Sequence, residues 1–245
     1  MPLPIYLAMT QAEFCTLQAP PQHCAWLSCG FSSSGAGLSH IPKTLPPGSI
    51  LMVHDSILPQ GHDPTLVAQQ LLDACNALNL RGIALDFQRP YGEEIADMVK
   101  TIAHALPCPL AVTPTYQDIF PGCILAPPTP PDTCLQTHLA PWQGREIWLE
   151  LSWETARLHL TPNGCESFPE ECTLENFPFT DSALHCHYRT EVGANHGDFY
   201  LTRTWEDQQD LLQEGESLGV TLGVGLYQEA CSICPQAVIG SVREA

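Results

Sequence analysis

The sequence predicts a single TIM-like (β/α)8 barrel spanning residues 1–245, irregular after its sixth strand. Three observations carry that expectation. Short β-like runs alternate with helical patterns along the chain, the arrangement that gives a parallel sheet covered by helices. About eight such runs occur without a G-x-G-x-x-G or a phosphate-binding loop, which favours a closed barrel over an open nucleotide-binding sheet. The length of 245 residues suits one barrel, and no stretch reads as a linker between two domains.

Each element has a local reason. Pro4 to Met9 is the first apolar run, and Thr10-Gln11-Ala12-Glu13 follows it as a capping box that opens a short helix. Cys24 to Phe31 and Ile50 to Asp55 are the second and third strands, the latter opened by Pro46-Pro47-Gly48. Asp63-Pro64 pairs an N-cap with a first-turn proline. Leu66, Val67, Leu71, Leu72, Cys75 and Leu78 then recur at helical spacing to about Leu80. Gly82 to Gln88 is the fourth strand. Glu93 to Leu106 is a helix with Ile95, Val99, Ile102 and Leu106 on one face. Leu110 to Tyr116 and Cys123 to Ala126 are the fifth and sixth strands.

Beyond that point the pattern loosens. Pro127 to Pro141 is proline-rich without a helical period, so a loop or irregular helix is expected. Ile147 to Trp153 and Ala156 to Leu160 read as a hairpin about Glu154-Thr155. Leu184 to Thr190 is a further strand. Thr204 to Asp207 caps a helix that stops at Leu218-Gly219, and Val220 to Tyr227 is the last strand.

Side chains alternate across a strand, so a barrel strand shows one apolar outer face and one inner face that turns polar towards the mouth. In the fourth strand Ile83, Leu85 and Phe87 oppose Gly82, Ala84, Asp86 and Gln88. In the run from Ile147, the inner set is Trp148, Glu150 and Ser152. At Leu184 the polar face holds His185, His187, Arg189 and Glu191. In the last strand Gly223, Gly225, Tyr227 and Glu229 are read as inner, against Leu222, Val224 and Leu226. The third strand ends on His54 and Asp55, one on each face. The expected mouth therefore gathers Asp86, Gln88, Glu150, His187, Arg189, Tyr227 and Glu229. Carboxylates converging with an Arg and a His suit acid–base or sugar chemistry.

The stretch Arg81-Gly82-Ile83-Ala84-Leu85-Asp86-Phe87-Gln88 resembles the fourth-strand signature of glycoside hydrolase family 18, the chitinase-like TIM barrels, written D-G-x-D-x-D-x-E. In that family the final Glu is the general acid, and the Asp two residues before it positions the substrate's own acetamide as nucleophile. The resemblance places Asp86 on that Asp and Gly82 on the Gly. Arg81, Ala84 and Gln88 stand where the first Asp, the second Asp and the catalytic Glu belong. A carboxamide cannot deliver a proton to a leaving oxygen, and losing a general acid typically forfeits ~10²–10⁴-fold in rate.

Together with the expected mouth, the resemblance leads to a barrel that binds a carbohydrate or related polar ligand through Gln88, the strand alternation adding His187, Arg189 and Tyr227 as contacts. Asp86, Glu150 and Glu229 are the candidate catalytic groups. An active hydrolase, a glycosidase or a metal-assisted one with a metal on His185 and His187, using Glu150 or Glu229 as acid/base is the alternative, and a non-catalytic scaffold or interaction protein is the third reading.

Composition excludes several function classes. Nine Lys and Arg against 27 Asp and Glu give a formal charge of -18, which repels nucleic-acid backbones and anionic membrane surfaces. No apolar run approaches the ~18 residues of a membrane span. The start of the chain lacks a signal-peptide pattern, so a cytoplasmic setting with reduced thiols is expected. Most of the 12 cysteines then read as small core hydrophobes, and Cys231-Ser232-Ile233-Cys234 has no partner motif at zinc spacing. His185 and His187 form a two-imidazole pattern that lacks an evident third ligand, so neither a metal nor a cofactor is expected. Trp153 and Trp205 read as core or interface, and no nucleophile elbow is present.

Overall fold

The computed structural model describes residues 2–35, 37–57, 61–170, 177–235 and 238. A closed ring of parallel strands forms its centre. The strands are β1 (Ile5–Met9), β2 (Cys24–Phe31), β4 (Ile50–His54), β5 (Gly82–Asp86), β6 (Leu110–Val112), β7 (Cys123–Ala126), β8 (Ile147–Leu151) and β14 (Val220–Leu226). Each pairs in parallel with its neighbours, and β1 closes the ring by pairing with both β14 and β2. The two-residue β3 (Leu38–Ser39) folds back against the end of β2. This is a TIM-like (β/α)8 barrel, and Gly82–Asp86 is its fourth strand, as the sequence predicts.

The helices begin and end where their capping residues dictate. In α1 (Gln11–Thr16) Thr10 and Glu13 complete the expected capping box. In α2 (Pro64–Leu78) the Asp63 carboxylate accepts the Thr65 N–H at 2.9 Å, and Asn79 ends the helix in the left-handed region at φ 49°. Glu93 and Glu94 occupy the first turn of α3 (Glu93–Ala105), where acidic groups favour the helix dipole. The proline-rich stretch holds α4 (Leu135–Leu139) and a 3-10 turn at Ala140–Trp142. Thr204 and Asp207 box the start of α5 (Trp205–Glu216), and α6 (Tyr227–Ile233) follows β14 directly.

Alternation divides the core in two. Ile83, Leu85, Phe87, Leu149 and Leu151 face outward and pack under the helices with Val67, Leu71, Val99 and Ile102. Tyr6, Ile50, Met52, Leu125, Trp148, Leu222 and Val224 fill the barrel interior together with Ala8, Ala25, Ala84 and Ala111. Trp148 is fully buried there, and a Cβ on Gly82 would come within 2.7 Å of its ring and of the Pro109 carbonyl. Gly82 is thus small because Trp148 occupies its side of the barrel.

The structure corrects three sequence expectations. First, the last strand presents Leu222 and Val224 inward, while Gly223 and Gly225 face outward beneath Leu212, Leu151 and Trp153. A bulge between Val220 and Leu222 is the cause. One extra residue moves every following side chain to the other face.

Second, Ile147 and its followers do not form a hairpin with Ala156 to Leu160. β8 is the seventh barrel strand, while β9 (Thr155–Thr161) belongs to a separate antiparallel sheet with β10 (Gly164–Glu170), β11 (Phe179–Asp181), β12 (Cys186–Val192) and β13 (Gly197–Thr202). Its order is β10-β9-β13-β12-β11, and it is inserted between β8 and α5.

Third, the Leu184 to Thr190 run is therefore a strand of this insert, not of the barrel. Arg203 ties the insert down. Its buried guanidinium donates to the carbonyls of Thr129 (2.6 Å), Leu184 (3.1 Å), His185 (3.2 Å) and Pro130 (3.4 Å).

No helix among the described residues is long and apolar enough to cross a membrane. Cys24, Cys29, Cys75, Cys123 and Cys186 are buried, and burial pushes the thiols of Cys24 and Cys29 up to about 12. Cys172 lies outside the described residues.

Candidate functional site at the barrel mouth

A cavity of about 290 Å³ opens at the C-terminal ends of the barrel strands. Ala8, Leu27, Met52 and Val224 line its apolar part, and Asp86, Glu150, Glu154 and Glu229 bring carboxyl groups to it. Three of the residues expected at the mouth, Asp86, Glu150 and Glu229, thus share one cavity. Glu150 gets there by alternation in β8. Glu229 arrives differently: it lies on α6, and its carboxylate accepts the Trp153 N–H at 2.9 Å and the Ser152 hydroxyl at 3.2 Å.

The end of the fourth strand is held from behind. Asp55 is 3% exposed, and its carboxylate accepts the backbone N–H groups of Gln88 (3.1 Å) and Arg89 (3.0 Å). Arg89 returns the contact by donating Nε to the Asp55 carbonyl at 2.8 Å. With its backbone fixed, Gln88 donates its side-chain amide to the Asp86 carboxylate. His54 lies beside Asp86 in register, its Nδ1 paired with the Ser56 hydroxyl at 2.8 Å. Its ring occupies the space a side chain on Gly30 would need.

Electrostatics follow from this enclosure. Burial raises the Asp86 carboxyl above its ordinary range, the Gln88 amide draws it back, Asp55 raises it and His54 lowers it. Burial, and then the Asp86 charge, push Glu150 up to about 8. Burial also raises Glu229, opposed by the Trp153 N–H and Ser152. Glu150 therefore carries a proton at neutral pH beside a neighbour that can be ionised, the separation of roles that acid–base chemistry uses.

The same shift makes stability depend on pH. Folded Glu150 keeps a proton that the unfolded chain, with a carboxyl near about 4.3, releases. Stability is therefore full below that value and is lost as pH rises towards about 8. Asp86 has the same sign. Melting temperature measured from pH 5 to 9 is expected to fall, and Glu150→Gln to flatten the slope. An unchanged slope in the variant would contradict this assignment.

His187, Arg189 and Tyr227 lie outside the mouth cavity. His187 and Arg189 belong to β12 in the insert, where His187 faces Asp207 at 3.4 Å and Arg189 pairs with Glu191 at 2.6 Å and covers the Tyr200 ring at 3.9 Å. Tyr227 is the first residue of α6 and packs against the outer core, with Cys231 as its partner. His185 bonds Glu214 at 2.7 Å from a turn before the strand. No group of three His, Cys, Asp or Glu able to hold a metal ion occurs among the described residues. Trp153 and Trp205 stack on each other at 5.7 Å, with Trp153 fully buried. Glu154 was missed because its position read as a hairpin turn. Arg203 was missed because nothing local marks a residue whose partners lie 18 to 74 positions away.

No protein-family model matches the sequence, and no curated protein matches it. Solved structures do. The chain resembles a glycoside hydrolase family 18 N-acetylglucosaminidase from Paenibacillus barengoltzii, with a TM-score of 0.60 at 10% identity over 99% of both chains. It is similar to a chitinase-like agglutinin from Robinia pseudoacacia, with a TM-score of 0.61 at 12% identity, covering 97% of this chain and 98% of that one. A family 18 chitinase from Cycas revoluta, a mutant in complex with (GlcNAc)4, gives a TM-score of 0.57 at 9% identity over 98% and 97% of the two chains. At these identities the likeness is one of architecture. The chain has a TIM-like (β/α)8 barrel that resembles the barrels of these family 18 and chitinase-like proteins in fold.

Proposed function

We propose that the barrel mouth binds a carbohydrate or related polar ligand, with Gln88 in place of the proton donor that the resembled fourth-strand signature carries. One observation supports this reading above the others: Asp86, Glu150 and Glu229 line a single cavity at the strand ends, with the Gln88 amide bonded to Asp86. Gln88 can donate to and accept from sugar hydroxyls but cannot release a proton. Asp86 would orient the ligand, and Ala8, Leu27 and Met52 would meet its apolar side. Nucleic acid is a poor partner for so acidic a chain.

Thermal denaturation with chito- and cello-oligosaccharides tests this. Wild type is expected to melt higher with a bound saccharide, Asp86→Ala to lose that gain, and neither to turn the sugar over. An unshifted wild-type melt across the panel would sink the proposal. A second reading is favoured by the protonated Glu150: an active hydrolase in which Glu150 delivers the proton. Turnover of a chromogenic glycoside by wild type, lost in Glu150→Gln, would decide for it.

A further inference from the structure

We propose that the uncharged face of the inserted sheet docks a second copy of this chain about a two-fold axis, with Phe199 of each copy entering the hollow over Gly197 of the other. Side chains alternate along β9, β10, β12 and β13, so cross-strand partners line up in rows on one face or the other. One face carries a first row of Cys165, Leu160, Gly197 and Val192 and a second of Ser167, Leu158, Phe199 and Thr190. Its third row is Pro169, Ala156, Leu201 and Tyr188, extended by Phe179 of β11. None of these residues is charged, in a chain with 27 Asp and Glu. The opposite face holds Arg157, His159, Arg189, Glu191 and Asp198, which pair with one another.

The uncharged face is open to water. Val192 is 85% exposed, Phe179 50%, Leu160 39% and Phe199 37%, so large apolar side chains stand exposed on one surface. A single exposed apolar residue needs no explanation, but a contiguous group marks an interaction surface. Leu201, in the row nearest the Arg203 tie, is buried, so the first two rows and Phe179 form the open part.

The relief of this face is self-complementary. A Cβ on Gly197 would come no closer than 3.9 Å to a neighbour, the edge of the Phe199 ring, and the Gly197 φ lies outside the left-handed region. The backbone therefore does not require glycine there. The missing side chain leaves a hollow between Leu160 and Val192, with the Phe199 ring on its rim. A two-fold axis lets each ring fill the other copy's hollow, the reciprocal contact of an isologous interface. Area points to the same partner. The four long strands, of six or seven residues each, form the face. At ordinary spacings they cover about 20 by 20 Å, so two copies would bury on the order of 800–1,000 Å², the size of a weak, reversible interface. Charge agrees, since the face offers no ion pair to a basic or acidic surface, and a chain of formal charge -18 is repelled by anionic membranes.

Sedimentation velocity of the full chain, across a concentration series, tests this. Wild type is expected to pass from monomer to dimer and stop there, with a dissociation constant of about 10–100 µM, as suits so small an interface. Added salt should tighten the dimer by screening the charge that the two copies share. Val192→Glu and Phe199→Glu each set a carboxylate in the contact on both copies, and each is expected to weaken the dimer about tenfold or more. Val192 is mostly in water, so its variant should melt at the wild-type temperature, which keeps the test clear of a folding defect. Phe168→Ser, an exposed aromatic removed from the opposite face, is expected to leave dimerisation unchanged. A wild type that stays monomeric throughout would overturn the proposal and leave the face to a different partner. Wild-type dimerisation in both glutamate variants would overturn it too, as would an equal loss in Phe168→Ser or association that runs past the dimer.

Discussion

Trp148→Ala is expected to lower the unfolding free energy by about 3–5 kcal/mol, the usual cost of removing a fully buried tryptophan. The barrel interior is otherwise lined largely by small residues on this side. Ala84 and Ala111 belong to the inner cluster, and Gly82 leaves no Cβ where the indole passes. Alanine at 148 would leave a hole that none of these neighbours can reach across. The indole N–H also donates to Glu146 at 3.2 Å, a contact that would go with it. Urea denaturation should show the midpoint falling with an unchanged slope. A loss below about 1 kcal/mol would mean that the interior collapses to refill the space. The Asp86–Glu150 mouth sits above this layer, so ligand binding should weaken in the same variant.

Gln88→Glu is expected to create or raise glycosidase turnover by about 10²–10⁴-fold, the range a positioned general acid supplies. The physical basis is the contact already present. The Gln88 amide donates to Asp86, and a carboxyl there would have to share a proton across the same contact. Two carboxylates that close cannot both ionise easily, so one pKa rises and a protonated acid persists near neutral pH. The backbone is set for it, since Asp55 holds the N–H groups of residues 88 and 89 from below. Activity on a fluorogenic N-acetylglucosaminide should fall as pH rises past the raised value, and a further Asp86→Asn should abolish it. A correctly folded Gln88→Glu protein with no turnover on any glycoside would count against the family-like reading of this strand.

Much of the fold was legible because its rules are local. The alternation in Gly82–Asp86 placed Ile83 and Leu85 outside and Ala84 and Asp86 inside, and the structure has them so. Thr10, Asp63 and Thr204 cap the helices they were expected to cap, since a capping bond joins residues within one turn. The last strand failed at one residue. Nothing in Val220–Leu226 announces the bulge, and the faces after it are reversed. Glu229 was expected at the mouth on a strand face and is there, but as a helix residue anchored to Trp153 and Ser152. His187 and Arg189 carry the same alternating signal as a barrel strand, and they lie in the insert instead.

By itself the sequence determined a barrel-length run of amphipathic elements, a formal charge of -18, and a fourth strand leading to Asp86 and Gln88. Period and capping are properties of a few consecutive residues, so they survive without the rest of the molecule. Only the tertiary structure decided which strands close the ring, that β9 to β13 leave it for a second sheet, and which carboxyls meet. Those outcomes depend on hydrogen bonds between residues far apart in the chain, such as Arg203 to Thr129 and Trp153 to Glu229. The shared cavity, and with it the raised carboxyl of Glu150, exists only once those distant ends are brought together.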